Sequence, residues 1–186
     1  KYFAGKAEGV AVAPDGSIYV TGNASGLMYV MKFAPRGCYY WRKTSEGRSL
    51  AVAVSGSGGA IYVTGALAGD VVVRKLTAGG DLVWSRKFDG PAGLGDEGRA
   101  IVVDRGGNIY MAGFVRRTGQ GKNIWLRKLT PAGGVLWTRE VSRVGSGDDW
   151  ANGVALDGLG NIYVTGTTSY EGCLLYTSDA ADEEDS

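Results

Sequence analysis

Residues 153–166 read GVALDGLGNIYVTG, and nearly the same phrase occurs three more times: GVAVAPDGSIYVTG from Gly9, AVAVSGSGGAIYVTG from Ala51 and AIVVDRGGNIYMAG from Ala100. Each copy reads as two short apolar strands joined by a tight glycine-containing turn. A phrase that returns at this spacing signals a repeat architecture, in which one supersecondary unit is stacked on copies of itself. The chain is therefore expected to be an array of small sheets rather than a fold with a single central core.

Two further strands follow each phrase. In the first unit, strand a is GVAVA (9–13), strand b SIYVTG (17–22), strand c MYVMKF (28–33) and strand d CYYWRK (38–43). The second unit repeats them as AVAV, AIYVTG, VVVRKL and DLVWSRK, and the third as AIVVD, NIYMAG, NIWLRKL and VLWTRE. The fourth has strands a and b only, GVALD and NIYVTG. Short strands linked by Gly, Asp and Pro turns make an antiparallel meander. These strands are apolar on both faces, so each sheet is expected to lie between two others. Radial stacking of four-stranded sheets satisfies that need. Strand a, built of Gly, Ala and Val, suits the crowded axis, and the Tyr and Trp of strands b to d suit the wider periphery. The fold class that follows is all-β: a partial β-propeller of three four-stranded antiparallel blades plus half of a fourth. Its repeats span about 5–47, 48–97, 98–149 and 150–172 of one domain, 1–172. Lys1–Phe3 aligns with Arg86–Phe88, the end of a later strand, so the chain is expected to open in the tail of a preceding unit.

Two internal regularities fix the register. Trp41, Trp84 and Trp137 each lie eight residues after the end of strand c, and Gly37, Gly80 and Gly133 lie four before them. A hairpin turn with positive φ requires such a glycine. A lysine also recurs in strand c, at Lys32, Lys75 and Lys128. It is expected to be structural, a long stem packed between blades with its head at a polar rim; a ring of cations is the functional alternative.

After Glu171 the sequence leaves the repeat. Cys173 to Asp182, CLLYTSDAAD, resembles the translation of a transposase-type sequencing adapter, matched codon for codon, so 173–186 is expected to be a non-native, unstructured tail and the natural chain to continue beyond residue 172. Of the 19 acidic residues, five (Asp179, Asp182, Glu183, Glu184 and Asp185) belong to this tail, which leaves 14 against 20 basic ones and a net charge of +6. That charge is mild and scattered, which disfavours nucleic acid as a partner. No apolar run reaches the length of a membrane span.

The string of Asp148-Asp149, GVALD, Gly160-Asn161, IYVTG and the Gly-x-x-x-Trp units resembles the bacterial beta-propeller repeat family with SBBP-type repeats, over residues 5–172. Asp104, Asn108, Asp157 and Asn161 sit at that family's Asp and Gly-Asn positions, whereas the first unit has Ala13 and Ser17 there and the second an extra turn residue. The resemblance implies a propeller in a secreted or envelope-associated bacterial protein, without a catalytic site of its own. The remaining blades of the same chain would be its first partners.

The chemistry points the same way. The chain has no histidine, the usual general base of a nucleophilic triad and the commonest zinc ligand. Cys38, beside two tyrosines, is expected to pack rather than react. Asp96-Glu97 and Asp148-Asp149 occupy loops between repeats, where oxygen-rich clusters could take Ca2+ at Asp96, Asp148 and Asp149. Their spacing lacks the alternation of familiar calcium loops, and the preferred expectation is that each Asp accepts backbone N–H bonds and fixes a turn, with no metal. The Gly-x-x-x-Trp units also resemble the tryptophan-docking motif of quinone-cofactor dehydrogenases, which keeps part of such an enzyme as the alternative. Length variation gives the sharpest pointer. From the strand b Tyr to the strand c Lys the spacing is 13, 13 and 18 residues, and from the strand d Trp to the next Tyr it is 21, 26 and 26, while the c–d turn keeps its length. Insertions thus fall on the face carrying the b–c and d–a loops, the expected binding surface. There the segment FVRRTGQGKN places Arg116, Arg117 and Lys122 on a Gly-rich loop beside Asp96, Glu97, Asp148 and Asp149. The expected function is non-enzymatic binding or scaffolding, with a protein or polysaccharide as partner.

Overall fold

The computed structural model describes residues 5–141 and 147–169, and the backbone of 173–177. Its strands are β1 (Lys6–Val12), β2 (Ile18–Ala24), β3 (Leu27–Phe33), β4 (Tyr39–Glu46), β5 (Arg48–Val54), β6 (Ala60–Leu67), β7 (Asp70–Thr77), β8 (Leu82–Phe88), β9 (Glu97–Val103), β10 (Ile109–Arg117), β11 (Gly121–Leu129), β12 (Val135–Val141), β13 (Trp150–Leu156), β14 (Ile162–Thr167) and β15 (Cys173–Thr177). They form antiparallel sheets in simple chain order, β1-β2-β3-β4, β5-β6-β7-β8, β9-β10-β11-β12 and β13-β14-β15. No helix occurs among the described residues. This is the all-β propeller arc expected from the repeat.

Apolar side chains alternate between the two faces of the sheets, and in the second and third sheets each face packs on a different neighbour. Ile61 and Val63 of β6 join Tyr19, Met28 and Val30 of the first sheet. Tyr62 on the same strand points the other way, to Ile109 and Met111 of the third. Tyr110 and Ala112 in turn meet Ile162 and Val164 of the fourth. Three cores therefore separate four sheets, and β1, β5, β9 and β13 line up nearest one another along the axis.

The small residues of these inner strands have a local cause as well. Each carries a β-bulge, between Ala7 and Gly9, Ser49 and Ala51, Gly98 and Ala100, and Ala151 and Gly153. The bulge pushes a carbonyl oxygen against the partner strand. A Cβ on Gly22, Gly65, Gly113 or Gly166 would collide with the oxygen of Lys6, Arg48, Glu97 or Trp150. The glycine that ends every "YVTG" phrase is thus demanded by the bulge.

On the rim with the a–b and c–d turns, one row of side chains repeats. Tyr19, Lys32 and Trp41 are cross-strand neighbours, as are Tyr62, Lys75 and Trp84, and Tyr110, Lys128 and Trp137. The lysine ammonium lies 5.3, 5.5 and 5.1 Å from the tyrosine ring centre in the three sheets. The row reaches across to the next sheet: Lys75 Nζ and Trp84 Nε1 both donate to Pro131 O, at 3.1 and 3.3 Å. Gly37, Gly80 and Gly133 have φ of 83°, 88° and 85°, so the turns are left-handed at that point. The Trp41 ring is 2.9 Å from where a Gly80 Cβ would stand, and Trp84 3.3 Å from that of Gly133. Trp41 and Trp84 thus wedge the first and second blades against the turn of the next.

Two expectations are corrected. Cys173–Thr177, expected to be unstructured, pair with β14 from Ile162↔Thr177 to Gly166↔Cys173. A strand edge such as β14 presents a row of N–H and C=O groups, and CLLYT is rich enough in β-formers to satisfy them. Residues 178–186 lie outside the described residues. The Gly-rich loop FVRRTGQGKN is instead a hairpin: β10 and β11 run on to Arg117↔Gly121, closed by Gln120 N donating to Arg117 O at 3.1 Å. The inserted residues lengthen two paired strands, because paired backbone satisfies its own hydrogen bonds and a free loop would not.

Candidate functional site

The opposite rim brings the b–c and d–a loops together, and the first junction closes differently from the two that follow. Between the first and second sheets, Asn23 Nδ2 donates to Ser49 O at 3.0 Å and Asn23 Oδ1 accepts from Ser49 N at 2.9 Å. Between the second and third, Asp96 takes over. Its Oδ2 accepts from Gly90 N at 2.6 Å and its Oδ1 from Arg116 N at 2.7 Å, while its own N donates to Gly69 O at 2.6 Å. Only 1% of Asp96 is exposed. Burial pushes its carboxyl above the usual range, and the two N–H donors work against that shift. At the third junction Asp149 Oδ1 accepts from Ser169 N at 2.9 Å, and Asp149 N donates to Lys122 O at 2.7 Å.

The neighbouring acids behave otherwise. Asp148 is exposed, accepts from Lys122 N at 3.0 Å and pairs with Lys122 Nζ at 3.3 Å. The Lys122 backbone N–H is the main reason its carboxyl is held below the usual range. Glu97 lies between two guanidinia, Arg48 at 3.1 Å and Arg99 at 3.9 Å. Among the described residues no three Asp, Glu, Cys or His side chains converge as a metal would need. Asp104 and Asp157 lie on the far rim, where each accepts from an Asn backbone N–H at 2.8 and 2.9 Å and holds a turn.

Arg116, Lys122, Glu97 and Asp96 do meet, around a hollow of about 460 Å³ between the second and third sheets. Phe114 lies in its lining, 4.9 Å from the Lys122 ammonium and 6.0 Å from the Arg116 guanidinium. Arg117 is not part of it: its fork is spent on Glu140, with both bonds at 2.7 Å. Two members escaped the sequence reading, Arg48 and Arg99. Arg99 is the bulge residue of β9, left out of the ladder between Gly98 and Ala100, so its side chain is re-aimed toward the rim. The available signal was positional, since the same place in the other units holds Glu8, Leu50 and Asn152, three residues unlike Arg99 and unlike one another on an otherwise repetitive strand. With Arg48, Arg99, Arg116 and Lys122 against Glu97 and Asp96, the lining carries more positive than negative groups. It can hold an anionic group by forked hydrogen bonds and an apolar edge on Phe114.

Residues 136–169 match the SBBP beta-propeller repeat family. No curated protein sequence matches the chain. Among solved structures, the chain resembles one in a nidogen/laminin complex, with 19% identity and a TM-score of 0.62 over 92% of this chain and 61% of that one. It also resembles the hydrazine synthase of Kuenenia stuttgartiensis, with 15% identity and a TM-score of 0.69 over 96% of this chain and 49% of the other. A gluconolactonase from Xanthomonas campestris, XC5397, matches with 18% identity and a TM-score of 0.57, over 89% of this chain and 57% of that one. These are β-propeller proteins, and at such identities the likeness concerns the fold. The chain spans between about half and three fifths of the length of these three.

Proposed function

We propose that this chain, which carries an SBBP beta-propeller repeat at residues 136–169, is part of a non-enzymatic binding module of an exported bacterial protein. Its ligand is an anionic polymer, a carboxylated or sulfated polysaccharide, taken on the rim of the b–c and d–a loops. The observation that carries this reading is the hollow between the second and third sheets. Four cations from two strands and a hairpin line it, and only Glu97 among its acids offers oxygens that are not already bound to backbone N–H groups. The excess of donors is what an anion requires, and an extended polymer would cross from Arg48 to Lys122.

The test is binding of polygalacturonate to the purified chain, with neutral dextran as comparison, across a range of salt. Arg116→Ser should weaken polygalacturonate binding at least several-fold and flatten its salt dependence. Arg117→Ser, which removes a guanidinium already held by Glu140, should bind as the unmodified chain does. Equal binding by Arg116→Ser and the unmodified chain would overturn the assignment.

A further inference from the structure

A second cleft, of about 630 Å³, opens between the first and second sheets toward their outer strands, away from the cationic rim. Its walls include Met28, Val30, Val63 and Leu76, and within them lies the guanidinium of Arg74. Arg74 is only 8% exposed. Its Nη1 touches Met28 Sδ and donates to Ser45 Oγ at 2.8 Å and to Glu46 O at 2.9 Å. Those bonds leave from the edge of the guanidinium plane and do not use its face.

The repeat supplies an internal reference for this place. One interface further on, Arg127 stands in β11 where Arg74 stands in β7, each one residue before the repeat lysine, and opposite Thr138 as Arg74 is opposite Ser85. There the guanidinium is covered. The Phe88 ring centre lies 4.2 Å from Arg127 Cζ, and the Trp125 ring centre lies 4.8 Å from it. Phe88 is four residues after Trp84, and the residue four after Trp41 is Ser45. Val72 likewise stands where Trp125 does. The same scaffold that sets two aromatic rings on an arginine at one interface presents, at the other, an arginine and a serine in the lining of an apolar cleft.

We propose that this cleft is a binding site for a small planar aromatic molecule, whose ring takes on Arg74 the place that Phe88 takes on Arg127. Stacking on a desolvated guanidinium selects a flat π-face over a saturated ring of equal size. The volume falls in the ordinary range for small-ligand sites. At the mouth, the Lys43–Asp81 pair at 3.3 Å offers both a donor and an acceptor to a polar ring substituent.

Indole and cyclohexanol serve as probes, titrated into the full chain and followed by two-dimensional NMR. Indole should give saturable shifts at the Ser45, Glu46 and Leu76 amides and at the Arg74 Nε–H, with cyclohexanol at least tenfold weaker. Ser45→Phe, which supplies the missing ring from the chain itself, should weaken indole binding at least tenfold. Arg74→Met, which keeps the stem and removes the planar group, should do the same while leaving polygalacturonate binding unchanged. Indole leaving these signals unmoved up to about 5 mM, binding no better than cyclohexanol, or binding equally to whichever variant folds would each overturn the proposal. If neither variant folds, the titration of the unmodified chain with the two probes decides it.

Discussion

On the rim that carries the a–b and c–d turns, Trp41 and Trp84 make the same contact one blade apart, each against the turn glycine of the next sheet. On the other rim, Asn23 closes the first junction against Ser49, whereas Asp96 and Asp149 close the second and third, each accepting from a backbone N–H twenty residues further on, and the loops there vary in length between units. The comparison separates two demands on a repeat protein. Blade-to-blade attachment is a single problem, solved once and copied. The rim proposed above for recognition is the one where junctions and loop lengths vary, and there the insertions, the bulge residue Arg99 and the cations of the hollow collect.

If the copied rim carries the attachment, its mutations should be costly and alike. Trp84→Ala removes the wedge and the hydrogen bond to Pro131 O, and should lower unfolding stability by about 2–4 kcal/mol. Trp41→Ala should match it to within about 1 kcal/mol. A loss below about 1 kcal/mol at either position, measured by urea unfolding, would break the comparison. On the variable rim the costs should be smaller and unequal. Asp96→Ala leaves the N–H groups of Gly90 and Arg116 without their acceptor, a loss of about 1–3 kcal/mol. Asn23→Ala should cost less, because Ser49 keeps its own bond from Oγ to Gly22 O at 2.8 Å. Equal losses at the two sites would show that the loop rim is as standardised as the turn rim.

The smallest effect belongs to Glu140, whose pairing with Arg117 is partly exposed, 44% on the arginine side chain, and is worth no more than about 1 kcal/mol. The Arg117 hydrogen bond holds the Glu140 carboxyl below its usual value of 4.5. A depressed folded value means that the contribution is complete above pH 4.5 and disappears as pH falls through the lower folded value. Glu140→Gln should therefore be slightly less stable than the unmodified chain near neutrality, and the gap should close in acid. A gap that widens as pH falls would contradict the pairing.

What the sequence disclosed is the part governed by short spacings. The strands, their order, the left-handed glycines of the c–d turns and the Tyr–Lys–Trp row all follow from residues a few positions apart, and the backbone has few ways to join them. The turn-fixing role of Asp96 and Asp149 was also legible, because an Asp beside a Gly-rich loop meets backbone N–H groups first. The residues that line the hollow were only partly legible. Arg117 is adjacent to Arg116, yet a strand turns alternate side chains to opposite faces, so one lines the hollow and the other meets Glu140 across the hairpin. Arg48 comes from a different sheet, and only the closing of the junction brings it to Glu97. The strand at Cys173–Thr177 depends on an available edge, which no property of CLLYT announces.

Every interior sheet is stabilised from both sides, by a neighbour made before it and another made after it. During synthesis at ~10 residues per second, the following sheet arrives on the order of 5 s later. Ile61 and Val63 can pack at once on the first sheet, while Val71 and Val73 wait for Met111. Each growing chain thus carries one greasy, strand-rich surface at its leading end, renewed with every repeat. That surface is the one most exposed to aggregation while the next repeat is still being made.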